Sequence, residues 1–138
     1  MFDKILVAYD GSDAAGKAFD LALDLAGKYG AELKVLAVAR PPDFGSEVET
    51  EAVLENSRKH YQHVLKPIKE RLTASGLKCH AEVVIGHPAE HIVITAEQWG
   101  AKLIVLGHRG KGLMGRWLVG SVAKQVMHHA PCAVLVAR

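Results

Sequence analysis

Chemistry is most concentrated near the C-terminus, where Gly107-His108-Arg109-Gly110 follows the apolar run Leu103-Ile104-Val105-Leu106 and, nine residues later, Gly120-Ser121 opens a helical segment. Glycines at a strand end and at a helix start allow bare backbone to approach a ligand and to take positive φ. The free N–H groups of Ser121, Val122 and Ala123 would present the positive end of a helix, an arrangement that holds phosphate. A capping box begun at Ser121 would put Glu at position 124, where this chain has Lys, so the helix mouth stays electropositive. An ordinary strand-to-helix connection with a serine N-cap fits the same letters. Charge is distributed to match the first reading: all 15 acids lie before Gln98, whereas Lys102, Arg109, Lys111, Arg116, Lys124 and Arg138 supply six positive charges after it. That end should attract a compact anion.

For a base or a metal ligand near such a loop the sequence offers Asp10 and His108. Asp10 stands at the end of the first apolar run and could equally serve a turn with Gly11 and Ser12. Other motif-like groupings fail on context. Gly110-x-Gly112-x-x-Gly115 lacks a preceding strand in contact and an acid about 20 residues on, which a dinucleotide fingerprint requires. No Gly-Lys-Ser/Thr ending exists for a Walker loop, so fast phosphoryl transfer lacks its usual equipment. His87-x-x-Glu90-His91 resembles an inverted zinc motif, but Pro88 at the first helical position leaves His87 outside the helix. Cys79 and His80 have no zinc spacing relative to it. A phosphoacceptor receiver would need an Asp ending its third strand, and a flavin module more aromatic residues than Trp117 in the phosphate-side loop. His128 and His129 close a helix, where the dipole mildly favours a protonated imidazole.

The elements that must position these residues alternate. Short apolar runs at Lys4 to Ala8, Leu33 to Val38, Lys78 to Ile85, Lys102 to Leu106 and Cys132 to Ala137 read as strands. Between them, a helix capped by Ser12 carries Ala18, Ala22, Leu25 and Tyr29 to a stop at Gly30. A longer one sets Leu54, Tyr61, Leu65, Ile68 and Leu72 on its apolar face and ends near Ser75-Gly76. Two more run from about Pro88 to Gln98 and from Ser121 to His129. Continuous Val/Ile/Leu strands alternating with helices predict a parallel sheet covered on both faces, with right-handed crossovers. Ligands in such sheets sit beyond the carboxyl ends of the strands, so the loops after Ala8, Val38, Ile85 and Leu106 face the expected site. At 138 residues, 49% hydrophobic and 23% charged, the chain fits one domain without metal or disulfide staples. Met1-Phe2-Asp3-Lys4 shows no signal-peptide pattern, and no run of 18 apolar residues offers a membrane span. Cys79 and Cys132 suit buried reduced thiols, and a cytoplasmic location is expected.

Gly107-x2-Gly110-x9-Gly120-Ser121, closed by Val122 and followed by His128-His129-Ala130-Pro131-Cys132-Ala133-Val134-Leu135-Val136, resembles the nucleotide loop and last strand of the ATP-binding universal stress protein A family. Lys4-Ile5-Leu6-Val7-Ala8-Tyr9-Asp10-Gly11-Ser12 and the Gly86-His87-Pro88 turn resemble the same family, and the match runs the length of the chain. The resemblance implies a single domain over 1–138 with a Rossmann-like five-stranded sheet in the order 3-2-1-4-5. It implies an ATP-binding stress-response or regulatory module, at most a slow ATPase or phosphotransferase, acting on an adenine nucleotide with Mg. Carried onto this sequence, Ala8 and Val38 would border the adenine, Val38 through its backbone, and Leu106 would also belong to the nucleotide site. Asp10 would lie near the ribose or a phosphate-bound metal, and Gly107, Arg109, Gly110, Gly120, Ser121 and Val122 would surround ribose and phosphates. His108-Arg109 departs from the small residues frequent before Gly110 in relatives. The last strand, at a sheet edge in that order, would pair with a second copy through Ala133 to Val136. Nucleic acid is not an expected partner, and an unidentified protein partner is compatible with the reading.

Overall fold

The computed structural model describes residues 1–40, 47–108 and 119–138, with the backbone alone for 47–50. Its elements alternate: β1 (Lys4–Ala8), α1 (Asp13–Tyr29), β2 (Glu32–Ala39), α2 (Glu47–Ser75), β3 (Cys79–Ile85), α3 (Pro88–Trp99), β4 (Leu103–Gly107), α4 (Ser121–His129) and β5 (Ala133–Ala137). All neighbouring strands are parallel, in the order β3-β2-β1-β4-β5. The expected sheet is therefore present, with strand limits within a residue or so of those read from the sequence.

Side chains alternate across a strand, and here the alternation separates two cores. Ile5 and Val7 of β1, Leu33, Val35 and Ala37 of β2, and Leu103 and Val105 of β4 pack under α1 and α2. Leu6, Leu36, Val38, Ile104 and Leu106 point the other way, under α3 and α4. Each inner strand is consequently apolar on both faces, the pattern that distinguishes a doubly covered parallel sheet from a half-solvated one.

Helix ends follow local chemistry. Ser12 caps α1 by accepting a hydrogen bond from the Ala15 N–H at 3.1 Å, and Gly30 ends the helix in the left-handed conformation at φ 62. The face that α1 buries is Ala15, Ala18, Phe19, Ala22 and Ala26, not the expected Leu25 and Tyr29. Tyr29 is exposed and meets Phe2 edge-on. His87 and Pro88 open α3 as expected, with Gly100 at its end. Lys4 then donates from Nζ to the Trp99 carbonyl at 3.1 Å, satisfying one of the acceptors left at that helix end. Both cysteines are free and half-buried, rather than buried, in segments on opposite edges of the sheet. Burial pushes the Cys132 thiol up, against a backbone hydrogen bond at Ile104 and the charge of Lys102, so it is no activated nucleophile.

Candidate functional site

The chain leaves β1 toward β2 and β3 on one side and returns to β4 and β5 on the other, so the winding reverses between β1 and β4. At that place two adjacent strand ends lead their loops apart and leave a crevice. A cleft of about 620 Å³ opens there, within the range of small-molecule sites.

Its floor is apolar. Ala8 ends β1 half-buried, Leu36 and Val38 come from β2, and Leu106 from β4; Ile92 of α3 completes the surface. One side is the turn after β1. The Ser12 N–H donates to Asp10 Oδ1 at 2.9 Å, and the Ser12 hydroxyl is committed to capping α1. Asp10 thus does serve the turn, but its carboxylate is exposed and faces the cleft with its second oxygen unengaged among the described residues. The turn thus holds the Asp10 carboxylate on the cleft wall.

The opposite side is the start of α4. Gly120, at φ −62 and ψ 156, is the N-cap, and Ser121 is the first helical residue. The serine cap considered from the sequence is therefore absent, and the capping-box position is Ala123 rather than Lys124. The consequence for charge is unchanged, since no acid stands in the first turn and no side chain caps it. The leading N–H groups of Ser121, Val122 and Ala123 have no intrahelical acceptor and lie on the cleft wall. Gly120 donates to the His108 carbonyl at 2.7 Å, and His108 to the Ala137 carbonyl at 2.7 Å, which ties the helix start to the end of β4 and the edge strand. His108 Nδ1 is buried without a partner among the described residues.

Neither Gly107 nor Gly120 takes a positive φ. Gly107 is small for another reason: a Cβ there would sit 2.7 Å from the Ala14 Cβ and 2.8 Å from the Ala14 carbonyl carbon. It lets α1 press onto β4 while its backbone lines the cleft. Gly86 is similar, since any Cβ would run into the His91 ring. That packing accounts for His91, and among the described residues no group of His, Cys, Asp and Glu could hold a metal on protein ligands.

Of the residues expected at the site, Ala8, Asp10, Val38, Leu106, Gly107, Gly120, Ser121 and Val122 converge on this cleft. Arg109 and Gly110 lie outside the described residues. The sequence reading missed Arg40, Ser57 and Tyr61, which also line it. Arg40 was within reach of the strand-end rule, as it directly follows β2. Tyr61 was assigned to the core face of α2, whereas it is half-buried between core and cleft. For Ser57 no sequence signal distinguishes it from a solvated helix residue. Burial raises the Tyr61 hydroxyl, as does the Asp10 carboxylate, with Arg40 opposing.

Comparison with known proteins places this architecture. The chain matches the Universal stress protein family over residues 1–138. A universal stress protein of Methanocaldococcus jannaschii is 36% identical over 141 residues, covering 100% of this chain and 83% of that protein. Among solved structures, the universal stress protein UspA from Lactobacillus plantarum superposes with a TM-score of 0.90 at 30% identity, covering 99% of this chain and 98% of that one. A universal stress protein solved in complex with cAMP superposes with a TM-score of 0.76 at 25% identity, covering 99% and 97%.

Proposed function

Since this chain belongs to the universal stress protein family, we propose that it binds ATP in the cleft between β1 and β4 as a regulatory ligand, with hydrolysis slow or absent. The observation that carries the reading is the convergence, in one crevice, of an apolar floor, the Asp10 turn and the bare N-terminus of α4. The floor suits a flat base, with the Val38 backbone at its edge to read adenine. Asp10 accepts from ribose hydroxyls or holds a metal carried by the phosphates. The N–H groups after Gly120 receive the phosphates, as oriented dipoles do for anions. A relative solved with cAMP supports an adenine nucleotide as the ligand class. Arg109 and Gly110 would complete the phosphate side.

Magnesium fits this site only as the nucleotide's companion. Among the described residues Asp10 alone supplies a carboxylate at the cleft, and magnesium keeps most of its waters while binding one or two carboxylates and substrate phosphates. Bound this way it would neutralise phosphate charge. Catalysis needs contacts that strengthen in the transition state, and the described residues that line the cleft offer ground-state contacts without a positioned base for water. The sole acid on the wall, Asp10, is already oriented by the Ser12 N–H. The proposed compartment is the cytoplasm, in keeping with two cysteines that stay free.

Calorimetric titration with ATP and GTP, run beside a phosphate-release assay on the same preparation, tests the reading. ATP should bind in the low-micromolar to millimolar range, GTP more weakly, and turnover should lie far below the enzyme median of about 10 per second. Phosphate release at several per second, lost in Asp10→Ala with affinity retained, would make the protein an ATPase instead.

A further inference from the structure

The cleft has a wall that the nucleotide reading does not use, built from the residue after β2 and from the first half of α2. Helix α2 runs 29 residues, but its fully buried apolar side chains begin at Leu65 and continue through Ile68 and Leu72. Upstream, the half-buried positions are Leu54, Ser57, Tyr61 and Val64, at helical spacing, with exposed residues between them. Tyr61 in this stripe also packs against the core beneath α1 and α2, so the stripe runs from core to cleft. Ser57 and Tyr61 line the cleft, and Val64 reaches the turn that presents Asp10, so close that a Cβ on Gly11 would lie 3.1 Å from Val64 Cγ1. Arg40 follows Val38 by two residues, a spacing that puts both on one side of an extended chain. It is the cation on the cleft wall among the described residues, where Asp10 is the anion.

We propose that Arg40, just past the end of β2, and Tyr61, on the first half of α2, stack against the base and ribose of the bound nucleotide. This inference rests on the nucleotide reading above and adds to it a stacking surface supplied by the end of β2 and by α2. Position argues for the base end. Arg40 stands beside Val38, at the floor, whereas the phosphate-binding N–H groups belong to α4 across the cleft. Chemistry argues the same way. A guanidinium and a phenol both present planar faces that stack on a nucleobase, and an arginine there has no neighbouring carboxylate to satisfy among the described residues other than Asp10. Tyr61 shares the cleft with both Asp10 and Arg40. Stacking tolerates any purine, so discrimination of adenine from guanine stays with the Val38 backbone, and the stacking surface contributes affinity.

Titrations of adenosine, AMP and ATP into the full chain and its variants separate this role from phosphate binding. Arg40→Ala and Tyr61→Ala should each weaken all three ligands by a common factor of about ten, with little dependence on salt, as loss of one stacking face does. Tyr61→Phe, which keeps the ring, should recover most of the affinity lost in Tyr61→Ala. Lys59→Ala, on the outer face of the same helix, should bind as the wild type does. Equal losses in Lys59→Ala and Tyr61→Ala would reduce the effect to helix integrity and overturn the proposal. An Arg40→Ala loss confined to ATP and erased by salt would make Arg40 a phosphate ligand and overturn it too. Unchanged affinities in Arg40→Ala and Tyr61→Ala, with wild-type binding intact, would overturn this inference alone. Failure of the wild type to bind any of the three would overturn the nucleotide reading itself.

Discussion

Gly107 lines the cleft where the sequence expected it, but for an incomplete reason. Its position after an apolar strand marks it as bare backbone for a ligand, and it does line the cleft. What forbids a side chain, however, is Ala14 of α1, whose Cβ and backbone crowd the space a Cβ would fill. No sequence pattern reveals this, because the crowding depends on the angle at which α1 lies on β4. Gly107→Ala should therefore destabilise the fold by about 1–3 kcal/mol, the usual range for overpacking a tight contact. Urea unfolding would register it, and a variant as stable as the wild type would show that α1 can shift freely. The turn at Asp10 was legible, since Asp-Gly-Ser at a strand end specifies one, and so was its place beside the cleft, since it ends the first strand. Arg40 and Tyr61 were not picked out, because a charge after a strand and an aromatic on a helix have commoner explanations in a solvated loop and a core.

At the scale of elements, strands were the easiest to place, since a strand buried on both faces is a short unbroken apolar run. Helix faces were harder. The spacing of Ala18, Ala22, Leu25 and Tyr29 suggested one stripe; the helix does bury Ala18 and Ala22 but adds Ala15, Phe19 and Ala26, keeps Leu25 only half-buried against the core and leaves Tyr29 exposed. Helix α2 has its own division at Leu65, and the pH response of the protein should reveal it. Tyr61 from its first half and Tyr9 at the end of β1 both hold their hydroxyl protons above the ordinary tyrosine value of 10.0, through burial first and then the Asp10 carboxylate. The folded state therefore keeps protons that the unfolded chain gives up. Their contribution is fully present below pH 10.0 and is lost as pH rises through the higher folded-state values. Urea unfolding at stepped alkaline pH, with tyrosinate absorbance followed in parallel, should show stability falling in that window. Tyr61→Phe should flatten part of the fall, and an unchanged slope in that variant would remove Tyr61 as a cause.

For the whole molecule, the two sheet edges differ in a way that bears on assembly. Strand β3 carries His80 and Glu82 exposed along its edge, charges of the kind that discourage pairing. Strand β5 reads Ala133-Val134-Leu135-Val136-Ala137 with no charge, its first four residues not fully buried. We propose that a homodimer, if formed through a sheet edge, would use β5 from Ala133 to Val136. Light scattering at tens of micromolar should find a dimer, and Val134→Pro, which removes a ladder donor, should shift it toward monomer. A monomeric wild type at that concentration would contradict the placement. Among the described residues no helix is long and apolar enough to cross a membrane.

The central claim is that phosphates of an adenine nucleotide sit on the first turn of α4, and Gly120 offers the most direct access to it. Its φ of −62 and ψ of 156 suit any residue, so a side chain there obstructs the approach to the Ser121 and Val122 N–H groups without demanding a glycine-only backbone. Calorimetry of ATP with the wild type and with Gly120→Val, matched by melting curves to verify folding, is the decisive measurement. The account predicts measurable ATP binding by the wild type and a loss of at least about 1.4 kcal/mol, a factor of ten, in the variant. A folded Gly120→Val protein that bound ATP as tightly as the wild type would contradict it.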